Sequence, residues 1–178
     1  MAGSGQTYSG GRRVAGGRRR HDVAAVSLAA MSELPKAEFA FPGPLRDQLV
    51  AAILSGAKTS TTGLLLEYER DGDPLPTVGA RSVLVDSDNR PVAVIELTEV
   101  RVVRLGDIDL AHARDEGEGF ETVADWRAGH ETFWHGPEYR AYLGDPGFTV
   151  DDDTLAVTER FRVVRRDDPD GFPAAPTR

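Results

Sequence analysis

The sequence predicts an α+β domain, a small mixed β-barrel with helices packed at its side. Two observations point there. Residues 80–86, 91–103 and 154–164 are β-branched and alternating, as strands are, while helical patterns interrupt them with few parallel crossovers. Size agrees, because 178 residues, 40% hydrophobic and 28% charged, make one ordinary domain with room for a sizeable core and tails. No internal repeat is visible. The expected organisation is a disordered Gly/Ser/Arg-rich tail at 1–35, the domain at 36–166 and a disordered C-terminal tail at 167–178.

The opening MAGSGQTYSGGRRVAGGRRRHDVAAVSLAA has no usable period. Its apolar run is short, alanine-heavy and preceded by Asp22, a poor match to a signal peptide. Structured composition starts with MSELPKAEFAF at Met31, so residues 1–30 are expected to be an upstream extension from a misplaced start.

In PGPLRDQLVAAILSG, Leu45, Leu49, Ile53 and Leu54 recur at helical spacing, Pro44 suits the first turn and Gly56 the stop. A second helix is expected over TTGLLLEYER, residues 61–70, broken by the Gly and Pro of DGDPLPTVG. ARSVLVD then reads as a strand, SDNR as a turn and PVAVIELTEVRVV as a long strand pairing back on the first. DIDLAHARDEG gives a short helix with an Asp cap, stopped at Gly117. In TVADWRAGHETFWH, Thr122 and Asp125 resemble a capping box, and Trp126, His130, Phe133 and Trp134 share a face. GPEYRAYLGD allows a further helical turn or two, and TLAVTERFRVV closes the fold as a strand.

Composition removes several functions. There is no cysteine, which excludes disulfides, thiolate metal sites and cysteine nucleophiles and fits the cytoplasmic location expected here. No apolar run reaches the roughly 18 residues a membrane helix needs, so a soluble protein with no membrane partner is expected. Residues 1–31 carry a surplus of +4, which leaves −12 on the rest of a chain whose net charge is −8. So acidic a body disfavours non-specific attraction to a phosphate backbone.

Chemistry concentrates in SGAKTSTTGL. Lys58, one of only two lysines among 21 basic residues, sits among Thr59, Ser60, Thr61 and Thr62. A lysine past a helix end complements the dipole, and Ser/Thr runs satisfy turns. The functional alternative is an amine base acting on the Thr61 hydroxyl, which only Lys, not Arg, can do. Such a site needs an acid, and HARDEGEGFE offers Asp115, Glu116, Glu118 and Glu121; residue type and spacing do not choose among them. His130 and His135, five apart, do not share a zinc-binding face; packing of His130 beside Trp126 and Trp134, or stacking on a ligand base, are its two readings. Asp151 to Asp153 read as a turn or a weak cation site.

These segments together resemble the ASCH domain, a relative of PUA domains, over roughly residues 38–165. The most specific element is the Gly-x-Lys-x-x-Thr pattern, here Gly56, Lys58 and Thr61; GEG and WRAGHETFW resemble the longer bacterial branch. The resemblance implies a PUA-like β-barrel whose cleft, beside that turn, suits RNA or a modified nucleoside. Some small ASCH proteins are amidohydrolases that deacetylate N4-acetylcytidine with a Lys, a Thr and a Glu; by motif these fall on Lys58, Thr61 and, within His-Ala-x-x-Glu, Glu116, with Glu116 expected as proton carrier or amine-holding group. Other members are RNA binders or ribonucleases, which keeps an RNA-binding module as the rival reading. Gly56, Thr59, Thr62, Trp126 and His130 are the expected ligand contacts, with no metal and no cofactor in the scheme. Two features depart from the family: Gly63 stands where many members have arginine, and the stretch around 120–145 is an insert relative to the short deacetylases.

Overall fold

The computed structural model describes residues 33–166, so residues 1–32 of the tail expected at 1–35, and the whole tail expected at 167–178, lie outside the described residues. The described residues form five strands and five helices. In chain order they are β1 (Lys36–Ala37), α1 (Pro44–Ser55), β2 (Ser60–Leu64), α2 (Leu65–Asp71), β3 (Arg81–Val85) and β4 (Pro91–Arg104). Then follow α3 (Leu110–Asp115), α4 (Val123–Trp134), α5 (Pro137–Leu143) and β5 (Leu155–Arg166), with a 3-10 turn at Leu105–Asp107 before α3.

The strands form one mixed sheet in the order β1-β3-β4-β5-β2, antiparallel except for the parallel β1–β3 pair. That corrects the expected closed barrel to an open α+β sheet. Closure requires the two end strands to hydrogen-bond to each other. Here one end is a two-residue strand and the other a five-residue strand, too little backbone to meet. The long strands do coil, because the β4–β5 register slips at Val94/Ile95 and Leu97/Glu99.

The second correction concerns residues 61–64, expected as helix. They pair with β5 from Ser60↔Arg160 to Leu64↔Ala156, and the helix starts only at Leu65. Elsewhere local chemistry acts as expected. Pro44 opens α1, and Gly56 stops it at φ 83° with its N–H on the Ile53 carbonyl. Thr122 caps α4 by accepting from the Asp125 N–H, and Asp109 caps α3 by accepting from the His112 N–H. The chain is engaged just before residue 36, since Leu34 packs on Val83, Val85 and Val94 and the Pro35 carbonyl accepts from the Val83 N–H.

Besides the small Val83, Val85 and Val94 cluster, two larger apolar cores hold this frame. One joins α1 to the sheet through Leu49, Val50, Ile53, Ile95, Leu97 and Phe161. The other joins α3, α4 and α5 to the opposite end of the sheet through Leu64, Leu105, Trp126, Trp134 and Tyr139. The space between them is the cavity described next. Among the described residues no helix is long and apolar enough to cross a membrane. Asp151 to Asp153 form the capped turn before β5: Asp151 accepts from Thr154, while Asp152 and Asp153 pair with Arg127 and Arg104.

Candidate active site

Three segments build the site: the turn from α1 into β2, the end of α3 with the loop after it, and the inner face of α4. The first two are tied together by backbone, the Thr59 N–H donating to the Asp115 carbonyl at 2.7 Å. They approach so closely that only glycine fits at 117. Its φ is +67°, and an added Cβ would lie 2.5 Å from the Ala57 carbonyl carbon and oxygen. Gly117→Ala should therefore cost about 2 kcal/mol or more, from the left-handed backbone and the forced separation of the two loops. Urea unfolding of the two proteins measures this, and equal midpoints would contradict the close approach.

Lys58 crosses this junction into the interior, with its side chain 1% exposed. Its Nζ donates to Glu118 Oε1 at 2.9 Å, to the Glu116 carbonyl at 3.2 Å and to Glu116 Oε2 at 3.3 Å. Three acceptors and three N–H bonds match, the arrangement of an ammonium.

Glu116 is the hub. Its Oε1 accepts from Thr62 Oγ1 at 2.7 Å and Trp126 Nε1 at 3.0 Å and lies 3.2 Å from His112 Nε2; its Oε2 takes Lys58 and His130 Nε2, both at 3.3 Å. Because Thr62 gives its only proton to Glu116, it accepts from His112, whose Nε2 lies 2.8 Å away, so His112 carries its proton on Nε2. Burial pushes the Glu116 carboxyl up, but the Lys58 ammonium, His130 and the hydrogen bond from His112 outweigh it and hold it well below the usual carboxylate range.

A carboxyl depressed in the folded state adds stability above its unfolded value, near 4.5, and loses it as pH falls through the folded value. Urea unfolding from pH 7 down to pH 2 should therefore show stability falling below about pH 4.5, with a shallower acid limb for Glu116→Gln. Parallel acid limbs would contradict the role given to Glu116.

The cavity has a volume of about 210 Å3. Phe39, Phe120, Phe133 and Trp134 wall it, and Lys58, Thr61, Thr62, Glu67, Glu116, Glu118 and His130 supply its polar atoms. Of the expected site residues, Lys58, Thr61, Thr62, Glu116 and His130 converge here. The other three do not line it. Gly56 is the exposed helix stop, Thr59 faces the Asp115 carbonyl, and Trp126, with no exposed surface, offers its indole N–H to Glu116 rather than a ring to a ligand.

His130 packs beside Trp126 and Trp134, the first of its two expected readings. It stacks on Trp126 at 4.3 Å between ring centroids, directs Nε2 to Glu116 and lines the cavity. Of the four candidate acids, Asp115 pairs with Arg160 and Glu121 is exposed, which leaves Glu116 and Glu118 at the cavity. Thr61 lines it too, and among the described residues its hydroxyl makes no side-chain hydrogen bond or ion pair.

Glu67 escaped the sequence reading. It is buried beside the cavity, accepts from Tyr139 Oη at 2.6 Å and from the Leu64 N–H at 3.3 Å, and its only local signal is the acid three residues after the strand end. Arg46 escaped too. Its buried guanidinium bonds the Phe39 and Ala40 carbonyls and fixes the wall they form, Ala40 being held at φ 55°.

The model of the ASCH domain matches residues 38–165. The chain belongs to the ASCH domain family. The ASCH domain from Lactobacillus crispatus is 26% identical and superposes with a TM-score of 0.66, over 81% of this chain and 89% of that one. A protein from Enterococcus faecalis is 25% identical with a TM-score of 0.65, over 74% of this chain and 76% of its own. No curated protein matches the sequence. The mixed sheet with five helices is thus an ASCH, PUA-like fold, and the Gly-x-Lys-x-x-Thr turn of this ASCH domain forms one lip of its cavity.

Proposed function

We propose that this ASCH domain hydrolyses acylated nucleosides of the N4-acylcytidine type, with Thr61 as nucleophile and Lys58 as its base. The observation that carries the reading is the unengaged Thr61 hydroxyl in a small aromatic cavity that also holds Lys58 between two carboxylates. Four rings suit one planar base, and about 210 Å3 is below the usual 300–1,000 Å3 of ligand pockets, which favours a single nucleoside over a strand.

Charge argues the same way. The cavity sets Glu67, Glu116 and Glu118 against one lysine, and the three N–H bonds of that lysine are already engaged. A phosphate on Lys58, which the RNA-binding alternative requires, would have to displace a carboxylate and lie among others.

In the reaction, Lys58 first passes a proton to a neighbouring carboxylate, and its freed lone pair takes the Thr61 hydroxyl proton as Oγ1 attacks the acyl carbon. The amide C–N bond breaks as its nitrogen is protonated, and water then releases the acid from Thr61. Glu116 orients Lys58. Incubating the protein with N4-acetylcytidine and, separately, with structured RNA should yield cytidine and acetate from the first and no cleavage of the second. RNA cleavage without deacylation would contradict the reading.

A further inference from the structure

We infer that Glu118, rather than Glu116, is the proton carrier of this pocket; the inference rests on the hydrolase reading above and specifies its acid–base group. Glu116 accepts from Lys58, Thr62 and Trp126, has the Nε2 atoms of His112 and His130 within 3.3 Å of a carboxylate with about four lone-pair sites, and its side chain is 1% exposed. Taking up a proton there would break the bonds that hold Lys58, Thr62, Trp126 and His130 together.

Glu118 stands in the opposite situation. Its side chain is 22% exposed, it lines the cavity, and Lys58 is its one hydrogen-bond donor among the described residues, at the shortest of the three Nζ distances. The backbone is shaped for this placement. Gly117 at φ 67° and Gly119 at φ 87° flank Glu118, and the reversal they allow turns it back onto Lys58 while Phe120 rests against Gly129. The low-lying carboxyl of Glu116 fits a permanent anion that keeps Lys58 in place.

The proton count closes around Glu118. Lys58 Nζ passes a proton to Glu118 Oε1, and the freed lone pair takes the Thr61 hydroxyl proton as Oγ1 bonds to the acyl carbon. Glu118 then gives its proton to the amide nitrogen, the C–N bond breaks and the amine leaves, with ammonium and carboxylate restored. In the second half the same pair takes a proton from water as it attacks the acyl-threonine. Glu118 returns the proton to Thr61 Oγ1, the C–O bond breaks and the acid is released.

The test compares Glu118→Gln, Glu118→Ala and the unsubstituted protein on N4-acetylcytidine. A glutamine oxygen still accepts from Lys58, so Glu118→Gln should keep KM within about threefold and lose about 10²–10⁴ in kcat, the usual worth of a general acid–base group. Glu118→Ala should lose as much and recover in part on adding formate, which can enter the vacated, partly exposed position; a purely structural carboxylate would show no such rescue. A kcat of Glu118→Gln close to that of the unsubstituted protein, or no effect of formate on Glu118→Ala, overturns the assignment and leaves the hydrolase reading standing. An unsubstituted protein that turns over no N4-acylcytidine overturns both.

Discussion

Lys58→Ala should lower the unfolding free energy by about 3–5 kcal/mol at neutral pH, because it strands a fully buried carboxylate. Glu116 keeps Thr62, Trp126, His112 and His130 around it but loses the ammonium that offsets its burial. Two further results identify that cause. Adding Glu116→Gln to Lys58→Ala should cost much less than the sum of the single changes, with a coupling of about 2–3 kcal/mol in a double-mutant cycle. The loss in Lys58→Ala should also shrink toward low pH, where the stranded carboxyl takes a proton. Additive single effects would mean that the pair contributes little, and that Lys58 matters only for the space it fills.

Thr61→Val separates chemistry from structure in the other direction. Valine keeps the shape and the β-branching that suits strand β2, and no side-chain hydrogen bond is lost among the described residues. Stability should stay within about 0.5 kcal/mol, whereas deacylation should fall by a factor on the order of 10⁴, as when a covalent nucleophile is removed. Binding of the acylated nucleoside should persist. A Thr61→Val protein with unchanged turnover would exclude the covalent route while leaving the pocket as a binding site.

Legibility in the sequence followed the range of the interaction. The α1 helix, its Pro44 start and Gly56 stop, the Thr122 cap and the hairpin of β3 and β4 depend on neighbours within a few residues, and the pattern shows them directly. Residues 61–64 were misread because Leu64, Leu65 and Tyr68 carry a helical spacing, while the pairing that makes those four residues a strand comes from β5, nearly a hundred positions away. Barrel closure failed for a similar reason. It depends on whether the end strands are long enough to meet, and β1 stops after two residues.

The site divides along the same line. The Gly-x-Lys-x-x-Thr turn is contiguous and was legible, whereas the acids of HARDEGEGFE were not distinguishable. Their fates depend on where Gly117 and Gly119 turn the chain and on Arg160 drawing Asp115 away. Trp126, expected as a ligand contact, is fully buried, and Glu116 claims its indole N–H instead. Glu67 gained its place through Tyr139, 72 residues downstream.

The central claim is that the acyl group passes through Thr61, and intact-mass analysis after rapid mixing with N4-acetylcytidine tests it most directly. The account predicts a transient acetyl adduct that maps to Thr61, forms no later than cytidine is released, and is absent from Thr61→Val. Cytidine released at full rate with no acetyl on Thr61 at any quench time would contradict it.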